Sequence, residues 1–161
     1  MTGSETWTVL QAPRAVAPRG YLPSSVTRDD AVEVGRLYYS AYDPGIACSS
    51  IEEAVEDTTF SFDGGYGEFS WSASRLARAA GTPVGAVLVV EQAAWPGAPD
   101  GPFIIELFVH RDHRRRGLAA WLVALATSQC FREGASRVSL QVRQDNVPAQ
   151  RLYRTLGFAP A

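Results

Sequence analysis

The chain has 161 residues, of which 46% are hydrophobic and 20% are charged, and its formal net charge is −2. This length and composition predict one soluble globular domain and exclude a disordered chain. We expect a cytoplasmic protein without membrane contact, because no apolar run approaches the ~20 residues of a membrane span and the N-terminus carries no secretory signal. The two cysteines, Cys48 and Cys130, have neither the spacing of metal ligands nor that of a disulfide framework.

The N-terminal half of the chain predicts short strands followed by two helices. Apolar residues within Trp7–Gln11 and Tyr21–Val26 predict two short strands. Apolar side chains at helical spacing then predict a helix over Arg28–Tyr42. A capping-box sequence opens a second helix at Ser50, and this helix is expected to run to about Phe62.

The remainder of the chain predicts three strands, a helix, a strand and a final helix. Apolar runs bounded by glycine and proline mark the strands, and spacing near 3.6 residues marks the helices. These elements are Ser70–Ala80, Val84–Gln92, Pro102–Val109, Leu118–Glu133, Arg137–Val142 and Pro148–Leu156. From residue 20 onward the order is β-α-α-β-β-β-α-β-α, which predicts an α/β fold with a mixed sheet.

The most informative segment is the basic turn after the strand that ends at Val109. Arg114, Arg115 and Arg116 precede Gly117 in the spacing R-x-x-G-x-A, and a helix follows. The first N–H groups of a helix have no intrahelical partner and lie at the positive end of its dipole, so they bind phosphate well. The turn therefore predicts a phosphate cradle. The alternative is that the three arginines only solvate a loop.

The distribution of charge along the chain favours an anionic ligand at this turn. Residues 107–161 contain 9 Arg and 3 acidic residues, whereas residues 1–106 contain 6 Arg and 14 acidic residues. The chain is negative overall and its basic cluster is confined to one turn, which argues against nucleic acid as a partner.

A second motif lies downstream. The segment from Asn146 to Phe158 has the pattern N-x-x-A-x-x-L-Y-x-x-x-G-F. Together with the basic turn it resembles the acyl-CoA-binding half of the GNAT superfamily of N-acetyltransferases, over roughly residues 103–158. The resemblance implies a mixed, mostly antiparallel central sheet with splayed strands and helices on both faces. It also implies transfer of an acetyl group from acetyl-CoA to an amine, without a metal.

The resemblance also implies which residues bind acetyl-CoA. Backbone N–H groups of the basic turn would hold the pyrophosphate, aided by the arginine side chains. The pantetheine arm would pair with the strand that ends at Val109, like an added strand. Arg115 stands where the family often has glycine, and Asn146 is expected to bond the arm or the backbone, with a simple turn residue as the alternative. The expected cofactor-binding residues are Leu107, Phe108, Val109, Arg114, Arg115, Arg116, Gly117, Leu118, Ala119, Ala120 and Asn146.

Two residues are candidates for moving protons. The resemblance implies that Tyr153 protonates the departing thiolate, since a phenol is protonated at neutral pH; the alternative is a core aromatic. Glu106 is the only ionisable residue on its predicted strand, and some members of the superfamily carry an acidic residue there. Glu106 is therefore the candidate base that deprotonates the amine. Its alternatives are an ion pair with an arginine or a charge that positions the substrate.

The acceptor must be inferred from the acidic N-terminal half. An acidic wall would attract a cationic amine, either a small molecule or a peptide; the alternative is a solvated helix face. Aromatic residues in the adjoining linkers either bind a cation or close the core. The acidic residues are Glu52, Glu53, Glu56, Asp57, Asp63 and Glu68, and the aromatic residues are Tyr42, Tyr66, Phe69 and Trp71.

The family's sheet continues after its G-F pair, but only four residues follow Gly157 here. We expect residues 1–19 to form an extension whose strand at Trp7–Gln11 completes the edge of a single domain over residues 20–161. The alternative is that a second copy completes it in a homodimer. The alternative function is an acyl-CoA-binding sensor or interaction module with little catalysis.

Overall fold

A computed structural model describes residues 3–161 and places a seven-stranded sheet at their centre. The strands are β1 (Ser4–Val9), β2 (Leu22–Ser25), β3 (Arg75–Ala79), β4 (Thr82–Val90), β5 (Phe103–Val109), β6 (Val138–Arg143) and β7 (Ala159–Pro160). They lie in the order β2-β3-β4-β5-β6-β1-β7, and only β5 and β6 run parallel. The predicted mixed, mostly antiparallel sheet is confirmed.

Within the described residues, four α-helices cover the two faces of this sheet: α1 (Ala31–Ala41), α2 (Ile51–Phe62), α3 (Leu118–Arg132) and α4 (Val147–Thr155). Val34 and Leu37 of α1 pack with Phe62 of α2 against one face, in a cluster that includes Leu88 of β4. The helices α3 and α4 contribute to a second cluster, which includes Val89 of the same strand. Successive residues of a strand point to opposite faces, so the two clusters lie on the two sides of the sheet.

The pairing of α1 with α2 is close and depends on a small residue. A Cβ built on Gly35 would lie 2.6 Å from Cγ2 of Val55, so a larger residue there would push the two helices apart. Ser50 caps α2 by accepting a hydrogen bond from the N–H of Glu53 at 3.1 Å. The Glu53 carboxylate in turn accepts from the N–H of Ser49 at 3.0 Å. Capping and the close approach together fix the position of α2.

The predicted strand Ser70–Ala80 is only partly correct, because β3 begins at Arg75. The N–H of Ser74 donates to the Ser70 carbonyl at 3.0 Å, and Oγ of Ser74 accepts from the N–H of Val89 at 2.9 Å. These bonds fold the start of the segment into a turn, since serine side chains compete with strand pairing for backbone groups. The other elements differ from prediction by a few residues at their ends.

The strands β5 and β6 separate after a short contact. Their pairing is limited to Phe103 with Ser139 and Ile104 with Leu140, while β5 continues to Val109 along its other neighbour, β4. A gap therefore opens between β5 and β6 and widens toward the basic turn. This is the splay that the resemblance implied.

A bulge in β5 sets the direction of the side chains beside the gap. The register against β4 shifts between Leu88 and Val89, which leaves Ile105 as an extra residue in β5. A one-residue shift moves each following side chain to the other face of the sheet. Glu106 therefore shares the face of Phe108, which packs under α1 and α2. Without the bulge it would point toward α3.

The N-terminal strand completes the sheet beside β6. β1 pairs antiparallel with all of β6, and the two-residue β7 pairs with the outer side of β1. Trp7 anchors β1, because its side chain is only 1% exposed and the Arg154 guanidinium lies 5.0 Å from its ring. The strand expected at Trp7–Gln11 is thus present and shifted to Ser4–Val9. This chain's own residues, rather than those of a second copy, lie beside β6.

Candidate active site

The basic turn joins β5 to α3 and forms an open helix N-terminus. We call residues 114–120 the cofactor loop. Arg115 has φ +60° and Gly117, the N-cap of α3, has φ +81°, so Arg115 adopts a left-handed conformation that glycine favours. In the described part of the chain no side chain caps α3, and its first intrahelical bond runs from Trp121 N to Gly117 O at 3.1 Å. The N–H groups of residues 118–120 therefore have no intrahelical partner.

Two of the three arginine side chains of the cofactor loop donate hydrogen bonds to protein groups, whereas the sequence predicts all three as phosphate ligands. Arg114 donates to the carbonyl of Ala41, and Nη1 of Arg116 donates to the Tyr21 hydroxyl at 2.9 Å. Among residues 3–161, no hydrogen bond or ion pair engages the Arg115 side chain. These contacts use guanidinium donors that the sequence had assigned to the ligand.

A cavity of about 460 Å³ occupies the space between β5 and β6 and reaches the cofactor loop. We call it the strand gap. Side chains of the loop residues differ in their access to it: Arg114 and Ala119 line it, whereas the side chain of Leu118 is buried in the core. The predicted site residues that line it are Glu106, Leu107, Phe108, Val109, Arg114, Ala119, Asn146 and Tyr153. Arg115, Arg116, Gly117, Leu118 and Ala120 are not among its lining residues.

Asn146 lies at the start of α4, and Tyr153 lies within this helix. Asn146 is the N-cap of this helix, and its Oδ1 accepts a hydrogen bond from Ala149 N at 3.2 Å. Tyr153 is 9% exposed and packs against Phe158 with ring centroids 5.7 Å apart. Burial and the nearby carboxyl of Glu106 raise the pKa of Tyr153 to about 12. The phenol is therefore protonated at neutral pH, as a proton donor must be.

Glu106 is partly buried, and its environment disfavours the charged form. Removal from water and, secondarily, the negative charge of Asp57 raise the pKa of Glu106 to about 8, while a hydrogen bond from Tyr38 opposes the shift. No ion pair with an arginine occurs at Glu106 within residues 3–161, so the expected alternative of an arginine partner is not observed. A carboxyl with a pKa near working pH can both accept and release a proton.

Tyr38 of α1 and Tyr42, the extended residue that follows α1, flank Glu106. Their rings meet edge to face with centroids 5.6 Å apart, and Tyr42 lines the strand gap. Burial raises the pKa of both phenols above the ordinary range, with the Glu106 carboxyl as the next cause. Both remain neutral donors. Tyr42 is among the aromatic candidates of the sequence, but nothing in the sequence indicates that either tyrosine lies near Glu106.

A second cavity, of about 540 Å³, lies on the α1 and α2 side of β5. We call it the acidic cavity. Carboxylates of Glu53, Glu56 and Asp57 line it together with Glu106. The Tyr66 hydroxyl donates to Oδ1 of Asp57 at 2.5 Å, and the other lining residues are Tyr38, Ala47, Cys48 and Phe60. Glu106 lines both this cavity and the strand gap.

Only part of the predicted acidic wall faces this cavity. Glu52, Asp63 and Glu68 are not lining residues, and Asp63 forms an ion pair with Arg28 at 2.6 Å. Among the aromatic candidates, Trp71 packs with Phe62 and Phe69 and closes the core. The periodicity of α2 does not reveal which of its carboxylates face inward, because that depends on how α2 packs against β5.

Residues 3–161 contain neither a cluster of metal-ligating side chains nor a helix suited to a membrane. No group of three or more His, Cys, Asp or Glu side chains is arranged to hold a metal ion. No helix in these residues combines the length and the apolar character needed to cross a membrane.

Solved structures share this fold at low sequence identity. A GCN5-related N-acetyltransferase from Sphaerobacter thermophilus has a TM-score of 0.75 and 22% identity, covering 99% of this chain and 49% of its own. The aminoglycoside N-acetyltransferase AAC(6')-Iy in complex with CoA has a TM-score of 0.68 and 19% identity, covering 91% of this chain and 93% of its own.

A tandem GNAT protein from the clavulanic acid biosynthesis pathway has a TM-score of 0.60 and 18% identity, covering 98% of this chain and 50% of its own. The present chain thus spans about half the length of the Sphaerobacter and tandem proteins. No curated protein sequence matches it.

The sequence profile described as the acetyltransferase (GNAT) family matches residues 36–158, well over half of the chain. The matched region includes the strands that line the two cavities, the cofactor loop and α4. On this match, and with the splayed α/β fold that it shares with solved members, the chain belongs to the GNAT family of acetyltransferases.

Proposed function

We propose that this protein transfers an acetyl group from acetyl-CoA to a primary amine of a cationic acceptor, either a small molecule or a peptide. The observation that carries this proposal is the position of Glu106. It lines a gap that ends at a basic loop and also a cavity lined by carboxylates. A carboxyl at the meeting point of an anion site and a cation site is suited to take a proton from an incoming ammonium group.

The strand gap suits the donor. Its β5 edge carries backbone groups that are not paired with β6 beyond Ile104, and an extended pantetheine arm can pair with such an edge. The gap ends at the uncapped N-terminus of α3, where free N–H groups favour a pyrophosphate. Acetyl-CoA would supply the reactive thioester. The neighbouring aminoglycoside acetyltransferase, whose structure contains CoA, supports the choice of donor.

The acidic cavity suits a cationic acceptor. Between Arg36 and Arg75 the chain has seven acidic residues and no Arg, Lys or His. Within residues 3–161, no ion pair neutralises Glu53, Glu56 or Asp57. Such unbalanced charge raises the local concentration of cations. Tyr66 and Phe60 pack edge to face at 5.0 Å and add aromatic surface beside it.

Proton movement at the site follows from two side chains. A carboxylate oxygen of Glu106 accepts the proton of the acceptor ammonium, which leaves the neutral amine that can attack. A bound cation next to Glu106 stabilises its ionised form, since an opposite charge lowers the pKa of a carboxyl. As the amine nitrogen bonds to the acetyl carbon and the C–S bond breaks, the Tyr153 hydroxyl donates its proton to the departing sulfur. The second proton that the amine nitrogen loses restores the phenol. Asn146 caps α4 and so fixes the helix that carries Tyr153.

The experiment is a free-thiol release assay with acetyl-CoA and a panel of cationic and neutral amines and peptides. We expect release with cationic primary amines. Tyr153→Phe should lower kcat by about 100-fold while leaving the Kd for CoA unchanged. Tyr39→Phe, at a tyrosine that lines neither the strand gap nor the acidic cavity, should behave as wild type. Tight CoA binding without thiol release from any amine would favour the binding module instead. The cytoplasmic location and a homodimer stay predictions of the sequence.

A further inference from the structure

The side of the cofactor loop that faces α1 is fixed by two arginines. Nη2 of Arg111 donates to the carbonyl of Tyr42 at 3.1 Å, and its Nε lies 3.4 Å from the carbonyl of Ser40. Arg114 donates to the carbonyl between them, that of Ala41. These three successive carbonyls end α1 and lack intrahelical partners. The two arginines therefore join the start of the loop to the end of α1.

The opposite side of the loop is held by Tyr21, which precedes β2. Its hydroxyl accepts from Nη1 of Arg116 at 2.9 Å and lies 2.8 Å from Nδ1 of His113. The Tyr21 ring is 9% exposed and meets the His113 ring edge to face, with centroids 5.7 Å apart. One buried hydroxyl thus contacts residues on both sides of Arg114.

The loop needs such contacts because its own backbone is unfavourable. Arg115 has φ +60°, a conformation that a residue with a Cβ rarely adopts. Gly117 at φ +81° adds backbone freedom rather than rigidity. A phosphate site made of backbone N–H groups binds well only if those groups are aimed before the ligand arrives.

We propose that Arg111 and Tyr21 are positioning residues, which hold the cofactor loop from two sides so that its N–H groups face the pyrophosphate. The proposal rests on the proposed function, since it presumes that this loop binds acetyl-CoA. Arg111 acts through the geometry of its forked guanidinium and Tyr21 through its hydroxyl. Neither side chain touches the ligand.

The first test is Tyr21→Phe, which keeps the buried ring and removes the hydroxyl. We expect the Kd for CoA, measured by calorimetry, to rise about fivefold, as the loss of hydrogen bonds to a charged partner implies. The kcat with a working acceptor should stay unchanged. Tyr39→Phe, which removes the hydroxyl of a tyrosine that lines neither the strand gap nor the acidic cavity, is the matched control. An unchanged Kd in Tyr21→Phe would overturn the role of Tyr21.

The second test compares Arg111→Ala with Arg111→Lys. Lysine keeps the charge but cannot donate as a planar fork to two carbonyls. If Arg111 positions the loop, both variants should weaken CoA binding about tenfold. If lysine restores the wild-type Kd, Arg111 acts by charge and the proposal fails for it. Arg36→Ala, an exposed arginine on α1, is the control for a lost surface charge.

Hydrogen exchange of the unliganded variants separates positioning from misfolding. The amides of His113 and Trp121 donate to His110 O and Gly117 O on the two sides of the loop. They should exchange about tenfold faster in Tyr21→Phe and Arg111→Ala, while the amides of the central sheet stay as protected as in wild type. Equal exchange of these two amides would overturn the proposal even if a Kd changes. Wild-type protein that does not bind CoA would overturn the proposed function together with this role. Wild-type binding with unaltered variants would overturn only the positioning role.

Discussion

The two cavities that meet at Glu106 are built in opposite ways. The strand gap and the cofactor loop present backbone groups, from the unpaired edge of β5 and the uncapped end of α3. The acidic cavity presents side chains, the carboxylates of Glu53, Glu56 and Asp57. Backbone groups recognise one constant ligand, because their positions depend on the fold rather than on side-chain identity. Side chains change with each substitution, so under the proposed function the acidic cavity is where the acceptor would be selected.

The largest expected effect lies where the two regions meet. Glu106→Gln removes the proposed base, and we expect kcat/KM for the acceptor to fall by about 100-fold with an unchanged Kd for CoA. In wild type, kcat/KM should rise with pH through an apparent pKa near 8, because the carboxyl must be ionised to accept a proton. In Glu106→Gln, kcat/KM should not show this rise with pH. A wild-type profile that is flat from pH 6 to pH 9 would contradict the assignment.

On the side of the site that would bind the acetyl donor, we expect Gly117, the N-cap residue of α3, to be the most sensitive position. Gly117→Val forces a β-branched residue into φ +81°, which should distort the turn that aims the free N–H groups, so the Kd for CoA should rise by about 100-fold. Gly97→Val is a matched control, since Gly97 has the same φ of +81° in open space on a surface loop. Both variants should lose comparable stability, of about 1–2 kcal/mol. Equal Kd values for CoA in the two variants would contradict a role of the cofactor loop in CoA binding.

The acceptor side should respond to charge without affecting the donor. Glu56→Gln combined with Asp57→Asn should raise the KM of a cationic amine about tenfold and leave the Kd for CoA unchanged. Added salt should reduce the difference from wild type. Glu52→Gln removes a charge from the same helix outside the cavity and should change nothing. If Glu52→Gln has the same effect as the double variant, the carboxylates act only through overall charge.

The smallest expected effect is on stability. The pKa of Glu106 is raised in the folded protein, so folding favours its neutral form; the corresponding stability is present below pH 4.5 and is lost as pH rises through about 8. Between pH 5.5 and pH 8.5, wild type should therefore lose about 1 kcal/mol more free energy of unfolding than Glu106→Gln does. This stability change is smaller than the whole pKa shift would give, because the carboxyl is partly exposed to solvent. Denaturant unfolding at the two pH values measures it, and the opposite sign would contradict the assigned environment.

The donor side could be predicted from the sequence because its groups are contiguous. The turn from Arg114 to Gly117 and the motif ending at Gly157 place their glycines and Tyr153 at fixed spacings along the chain. The strand–turn–helix unit follows from local preference, and an open helix N-terminus needs no distant residue to exist. The splay of β5 from β6 was expected only through the family resemblance.

The acceptor side could not be predicted to the same depth. The bulge at Ile105, which aims Glu106 toward α1, leaves no periodic signal in an apolar strand. The contact of Tyr38 with Glu106 joins segments far apart in the chain. The count of charges along the chain identifies an acidic region. Only the packing of α2 shows which of its carboxylates line the acidic cavity and that Asp63 instead pairs with Arg28.

A crystal structure with CoA and a cationic amine tests the central claim most directly, since it places donor and acceptor relative to Glu106. The account predicts the pyrophosphate against the N–H groups of residues 115–120, the sulfur within hydrogen-bonding reach of the Tyr153 hydroxyl, and the amine in the acidic cavity next to Glu106. CoA bound outside the strand gap would contradict it. So would an amine that reaches the sulfur without contacting the carboxylates of Glu56, Asp57 or Glu106.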